Sequence, residues 1–501
     1  MNVKKEYGDY QTPFNFALEI CTFLKEQKHL NPSMILEPTC GVGNFLMATK
    51  IFDAKKYFGI EINPLYCKIC AERFSDERLT ILNKNFFYCD LESLPKNSNL
   101  LVIGNPPWAT NSNLSKNLPQ KSNFKGFTRL EALTGASNFD ICEYIIIRLI
   151  EKYRNTNTVF AMLCKTSVAR KVFNNMQKQK ISFAWCETFE INTNKIFATN
   201  SSACLLFIQL TEEKTSSSNC NVYSFDNPSI LKSSFGYKNG KLYSDLSTQN
   251  YNFDGKSCFE WRQGIKHDCS KIMELTLEDG NLKNGNNELV DVETDITFPL
   301  IKGSTIKNPI ICSFSKYVIV TQRFLGEDTT YLKSYAPKAW QYLNQNTTTF
   351  EKRKSKIYNN STKFAMFGIG DYSYLPYKVC ICGFNKKPFF ALVFSEDKKP
   401  VMLDDTIYFL GFKDYDIAYT TMIYLHSKKV SNFLQSLSFA DSKRPYTKKI
   451  LSRIDFFKIY SKISFSELKL IEKKLGMKDY LDELMLKKFF DLTRPIEQNL
   501  L

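Results

Sequence analysis

The chain is poor in histidine, with three in 501 residues. His29, His267 and His426 lie far apart, so chemistry built on a histidine base or a histidine-ligated metal has little to work with. Long apolar runs are missing as well; none approaches the ~20 residues that a membrane-spanning helix needs. The N-terminus carries no signal-peptide pattern, and no internal repeat is visible. Cysteine is plentiful, at 15, yet forms no framework. Cys67 and Cys70 make a lone C-x-x-C in a helix-like run, and Cys380 and Cys382 sit in a strand-like one. Neither pair has the second pair of ligands that a zinc site requires. Reduced, mostly buried thiols in a cytoplasmic protein, with no bound metal, are the expectation.

Positive charge, in contrast, is in surplus. Lys and Arg number 67 against 51 Asp and Glu, a net charge of +16 and a pI near 9.0. That balance suits a polyanionic partner whose binding weakens with salt. Two basic clusters in the second half are interleaved with aromatics. Lys352, Arg353, Lys354 and Lys356 precede Tyr358, while Lys443, Arg444, Lys448, Lys449 and Arg453 surround Pro445-Tyr446. Backbone and base contacts to nucleic acid use such a mixture.

Two segments carry specific chemistry. The first is Ile103-Gly104-Asn105-Pro106-Pro107-Trp108, after the apolar run Leu100–Ile103. Two prolines in a row lack N–H donors and fix φ, and each restricts the residue before it. A stiff turn with carbonyls to offer results. Asn105 adds a side-chain carbonyl and Trp108 a flat apolar plate. A planar base with an exocyclic amine fits such a turn: two oxygens accept its N–H bonds, and its ring stacks on the indole.

The second segment runs from Ile35 to Leu46, with Glu37, Gly41 and Gly43 around a short turn before a helix-like run. It is not a G-x-G-x-x-G fingerprint. Tyr57–Glu61 follows as a second strand ending in an acid, at the spacing that lets a carboxylate meet ribose hydroxyls in a Rossmann-type unit. The acid at Glu37 disfavours a pyrophosphate and suits a cationic cofactor. S-adenosylmethionine, with a sulfonium and an amino group, fits better than NAD.

Strand, Glu37, glycine turn, strand, Glu61, strand and Asn-Pro-Pro-Trp together resemble the S-adenosylmethionine-dependent DNA adenine-N6 methyltransferases. The closer resemblance is to modification enzymes of restriction systems whose target-recognition region follows the catalytic domain. Tyr10-Gln11-Thr12-Pro13 resembles that family's N-terminal Tyr-x-Thr-Pro segment, which packs over the methionine end of the cofactor. Thr-Pro is also a helix-start signal, with Thr as N-cap and Pro at N1. The resemblance implies catalytic roles for Asn105, Pro106, Pro107 and Trp108. It implies cofactor contacts from Tyr10, Thr12, Pro13, Glu37, Gly41, Gly43, Glu61, Asn85, Phe86 and Asn105. Asn85 stands where the family usually has Asp near the cofactor's adenine. Phe197 falls where an aromatic stacks on the other face of a flipped base, and a core Phe at a strand start is the other reading. The implied substrate is double-stranded DNA, the implied companion a separately encoded restriction endonuclease, and the implied state a monomer.

The organisation agrees with an α/β fold: a Rossmann-like, mainly parallel sheet followed by a mixed, strand-rich recognition domain. Strands are expected at 34–37, 57–61, 80–82, 100–103, 159–164 and 203–210, and helices at 14–26 and 139–153. A catalytic domain at 1–212, a linker at 213–222 and a recognition domain at 223–501 follow. In the second half, 318–324 and 378–383 read as strands and 464–492 as helical. The polar stretch between Trp108 and Phe139 holds Lys121, Lys125 and Arg129, candidates for DNA contact. So are Arg262, Lys266 and His267, in a segment resembling the family's Arg-x-Gly element, and Arg353, Lys443 and Arg444 in the basic clusters. Other readings stay open: an amino-group methyltransferase acting on RNA, protein or cytosine N4, or a non-catalytic DNA-binding subunit.

Overall fold

In a computed structural model of the chain, the described residues are 11–95, 99–108, 140–214, 217–246, 250–439 and 441–495. Tyr10, Lys121, Lys125 and Arg129 lie outside them. The chain divides into two compact units, Met1–Leu246 and Ser247–Leu501.

The first unit is built on a ten-stranded sheet of order β10-β9-β8-β6-β7-β5-β4-β1-β2-β3. The strands are β1 Met34–Glu37, β2 Lys56–Glu61, β3 Leu79–Asn83, β4 Leu100–Gly104, β5 Val159–Lys165, β6 Phe183–Ile191, β7 Ala203–Leu210, β8 Asn219–Ser224, β9 Ser233–Lys238 and β10 Lys241–Tyr243. β3, β2, β1, β4 and β5 run parallel, and β7 returns antiparallel between β5 and β6. β4 is buried at every position, as a strand covered on both faces must be. From β1 the chain passes outward to β2 and β3, then crosses back to place β4 on β1's other side. That reversal opens a crevice at the carboxyl ends of β1 and β4, where ligands bind in open α/β sheets.

The helices of this unit are α1 Phe14–Glu26, α2 Asn44–Ala48, α3 Pro64–Phe74, α4 Ile141–Lys152, α5 Thr166–Lys178 and α6 Thr193–Phe197. One face of α1, including Ile20, Cys21 and Leu24, joins Ile35, Leu101, Ile103 and Leu163 of the strands in a common core. Pro13, not Thr12, takes the N-cap position of α1. The Thr12 side chain is therefore not a cap and is available for other work.

The boundary expected at 213–222 is corrected. Residues 219–243 form β8–β10 and continue the first sheet, and β8 pairs in parallel with β6. The polar stretch after β7 is a connection within one unit. Among the described residues no helix is long and apolar enough to cross a membrane, and no group of three or more His, Cys, Asp or Glu is placed to hold a metal ion.

The second unit contains two five-stranded sheets. One centres on Tyr377–Cys382 between Ile407–Phe412 and Phe390–Val393, both antiparallel to it. The other centres on Lys316–Ile319 between Glu274–Glu278 and Thr297–Ile301. The strand expected at 318–324 is thus shorter and earlier, ending at Ile319. Helices follow, among them Phe465–Lys474, whose Ser464 and Glu467 form a reciprocal capping box, and Glu483–Thr493.

Candidate active site

The site assembles at the carboxyl ends of β1, β2 and β4. Gly104 ends β4 with φ of +151°, a conformation that L side chains rarely adopt. Its backbone also passes close to the last residue of β1, since a Cβ there would stand 3.1 Å from Glu37 Cγ. Glycine at 104 thus places the Asn-Pro-Pro-Trp turn beside Glu37.

Thr12 reaches this turn from the other side. Asn105 Nδ2 donates to Thr12 Oγ1 at 3.2 Å, which turns the amide's carbonyl end away from Thr12. The Thr12 carbonyl accepts from Asn44 Nδ2 at 2.7 Å. Asn44 in turn accepts from Arg73, which also donates to the Val42 carbonyl, both at 2.8 Å. Thr12 therefore links the Asn-Pro-Pro-Trp turn to the glycine turn. Asn44 lies within the sequence segment 35–46 but was given no role there, and Arg73 was not singled out; a short amide and an arginine on another helix carry no signal until the loops meet.

Glu37 is buried and accepts the Leu46 N–H at 3.2 Å, in the first turn of α2. Burial first, then the neighbouring Cys70 and Glu61, holds its carboxyl well above the usual carboxylate range, against the lowering effect of Leu46. Glu61, at the end of β2, is also buried. Its Oε2 accepts the Gly41 N–H at 2.9 Å and its Oε1 the Asn63 N–H at 2.8 Å. Gly43, with φ of +83°, opens α2 and packs so closely that a Cβ would lie 2.4 Å from Cys70 Sγ.

Asn85 Oδ1 accepts the Phe87 N–H at 3.0 Å and so caps a short turn of helix. Phe86 is buried, and the Phe87 ring meets Tyr144 with centroids 5.1 Å apart. Pro13 is exposed, Pro106 is buried and Pro107 half-buried.

Trp108 and Phe197 are brought together. Both pack on the core of the first unit, and their centroids lie 5.6 Å apart at 71°. Trp108 is bonded to β5 at two points: its indole N–H donates to the Leu163 carbonyl, and its own carbonyl accepts from the Lys165 ammonium. Lys165 was not singled out in the sequence.

The candidates for nucleic-acid contact in the second unit divide. Arg353 is turned inward: its guanidinium donates to the carbonyls of Phe350, Ala365, Lys363 and His267. His267 is buried and accepts the Cys269 N–H. Lys266 and Arg444 meet at Asp405, at 4.0 and 3.7 Å, although they come from distant parts of the sequence. Arg262 lies over the Tyr372 ring at 4.5 Å and pairs with Glu260. Lys443 is exposed.

With this geometry in place, the known proteins can be compared. The chain matches no protein-family profile. It is 42% identical over 468 residues to the type II methyltransferase M.NspV of Nostoc sp., covering 90% of this chain and 96% of that protein. Similarity to the type II methyltransferase M.CvrRI of Paramecium bursaria Chlorella virus XZ-6E is narrower, 25% identity over 150 residues, or 30% of this chain and 34% of the relative. Among solved structures, the M protein of the type I restriction enzyme EcoKI matches with a TM-score of 0.32 at 15% identity, covering 43% of this chain and 48% of its own. The methyltransferase subunit of a type I restriction-modification system from Streptococcus thermophilus matches with a TM-score of 0.31 at 13% identity, with coverage of 43% and 48%.

Proposed function

The chain belongs to the type II methyltransferases, and from that premise we propose that it methylates the N6 amine of a flipped-out adenine in duplex DNA, using S-adenosylmethionine. One observation carries the reading. The Asn105 amide, held through its nitrogen by Thr12, stands at the strand end that adjoins the buried Glu37.

The residues present fit the cofactor. Glu37 is a buried carboxyl with a raised pKa, the state expected of an acid that awaits a cation. Its partner in this reading is the cofactor's amino group. Glu61 closes on the glycine turn and would meet the ribose, and Asn85 and Phe86 would line the adenine. Bound S-adenosylmethionine supplies an electrophilic methyl group on a sulfonium.

The chain's own residues do the rest. Adenine N6 is a poor nucleophile because its lone pair is delocalised into the ring. With the Asn105 side-chain carbonyl and the Pro106 carbonyl accepting its two N–H bonds, the nitrogen can pyramidalise and aim the lone pair at the methyl carbon. With the cofactor bound, the new N–CH3 bond would replace the S–CH3 bond, with S-adenosylhomocysteine as the released product, and the extra proton on nitrogen would pass to solvent. Positioning and fixed dipoles provide the acceleration, with no strong base. A stacked base cannot reach such a turn, so it must leave the duplex. Trp108 and Phe197 then offset part of the unstacking cost. Arg262, Lys266, Lys443 and Arg444 are proposed as DNA contacts of the second unit.

The test is to incubate the protein with tritiated-methyl S-adenosylmethionine and unmethylated duplex DNA, then digest to nucleosides. Label in N6-methyldeoxyadenosine is expected. Label in N4-methyldeoxycytidine would replace the base, and no label in DNA from a protein that labels RNA or protein supplied in its place would overturn the reading.

A further inference from the structure

Pro106 and Pro107 have no N–H to donate, so at those two positions the turn that presents Trp108 lacks backbone donors. Both pins on Trp108 come from one strand. The indole N–H donates to the Leu163 carbonyl at 3.4 Å. The Trp108 carbonyl accepts from the Lys165 ammonium at 3.3 Å. Leu163 and Lys165 stand two residues apart at the end of β5, which runs parallel to β4.

The same ammonium stands 3.5 Å from Asp140 Oδ2. Asp140 is buried, and its Oδ1 caps α4 by accepting the Cys142 N–H at 3.1 Å. An ammonium has three donors in one compact head. Here one meets a backbone carbonyl and another a buried carboxylate fixed to a helix end, so the lysine is itself held in place. A lysine that only neutralised Asp140 would have no need to reach the Trp108 carbonyl. Fixing the indole at its ring nitrogen and its carbonyl leaves it little freedom to tilt, and less ordering remains to be done when a ring stacks on it.

We propose that Lys165 is a positioning residue for the target base, holding Trp108 in its stacking orientation through the Trp108 carbonyl, with Asp140 holding Lys165. This rests on the methyl-transfer reading above. Its loss acts on base capture and on the transfer step, not on cofactor binding.

The experiment compares wild type with Lys165→Met, the double variant Asp140→Asn/Lys165→Met, and Lys165→Arg. The double variant leaves no unpaired carboxylate behind, and Asn preserves the helix cap. Three quantities are measured: single-turnover methyl transfer to a duplex that wild type methylates, S-adenosylhomocysteine affinity by calorimetry, and fluorescence of the same duplex with 2-aminopurine at the methylated position. Both Met variants are expected to transfer about ten-fold more slowly and to show a smaller 2-aminopurine signal. S-adenosylhomocysteine affinity stays within about two-fold, and Lys165→Arg recovers part of both losses. Wild-type rate and fluorescence in the double variant would overturn the proposal. So would a loss of S-adenosylhomocysteine binding that matches the loss of rate, or failure of both Met variants to fold, since each makes Lys165 a structural residue. A wild type that labels no DNA overturns the methyl-transfer reading, and the proposal with it.

Discussion

The indole of Trp108 and the phenyl ring of Phe197 meet edge to face, with centroids 5.6 Å apart and planes at 71°. A base sandwiched between two parallel rings needs them about 7 Å apart, two contact distances of about 3.5 Å. The observed pair is therefore closed on itself, and a base can enter only if one ring turns and withdraws. Trp108 is tied to β5 at both ends. Phe197 is the last residue of a five-residue helix followed by Ala198 at φ of +51°, so Phe197 is the ring expected to move.

If Phe197 is the second stacking surface proposed for the base, Phe197→Ala removes it. Base stacking is worth roughly 1–3 kcal/mol, so kcat/KM for DNA should fall by about five- to 150-fold. Cofactor affinity should hold. Steady-state kinetics alongside calorimetry with S-adenosylhomocysteine decides it, and an unchanged kcat/KM would make Phe197 a core residue only.

If Glu37 meets the cofactor's amino group as proposed, cofactor binding is proton-coupled. Burial, Cys70 and Glu61 raise its pKa well above the usual carboxylate value, so its neutral form persists to higher pH than an ordinary carboxyl. A cationic amino group beside it favours the ionised form, so binding expels a proton. Affinity should then weaken as pH falls through the raised range. Titrations with S-adenosylmethionine in two buffers of different ionisation enthalpy should report net proton release. Glu37→Gln should bind more weakly and lose that buffer dependence; equal apparent enthalpies for wild type in both buffers would refute the coupling.

Asn105→Ala should abolish transfer while S-adenosylhomocysteine still binds. Thr12→Val tests what orients the amide. Removing one hydrogen bond of roughly 1 kcal/mol should slow single-turnover transfer about five-fold. A Thr12→Val protein as fast as wild type would leave Thr12 with its backbone contact to Asn44 alone.

Much of this site was legible because its signals are local. The strand at 203–210 and the helix at 14–26 match their expected bounds, since apolar runs bounded by turn residues mark such elements directly. Asn105 and Trp108 were singled out from local turn chemistry, and the structure sets that turn beside Glu37 and Phe197. Thr12 was misread as a cap because Pro13 occupies that position itself. Residues 213–222 resembled a linker because their polarity signals exposure, and exposure does not distinguish a loop between domains from one between neighbouring strands. Arg353 stood in a basic cluster, yet its guanidinium turns inward to four carbonyls. Lys165 gave no signal, because its work depends on which strand ends lie side by side.

The second unit carries a group whose burial should cost stability. Lys378, in the strand Tyr377–Cys382, is 1% exposed and donates to the Leu375 carbonyl at 2.6 Å. Burial pushes its pKa down to about 7, against a raising effect from Cys380. An unfolded lysine titrates near 10.5. Between those values the unfolded chain binds a proton that the folded chain does not, so stability rises with pH across that window and is lost as pH falls toward 7. Below it both states are charged, and the folded one bears the full desolvation cost, on the order of a few kcal/mol. Lys378→Met removes the charge while keeping similar length, and should raise stability at pH 6.5 despite losing one hydrogen bond. The gain should shrink steadily as pH approaches 10, because wild type then folds with a neutral amine. Urea unfolding of both proteins at several pH values measures this difference directly. A difference that does not change with pH would mean that Lys378 keeps its proton in the folded state.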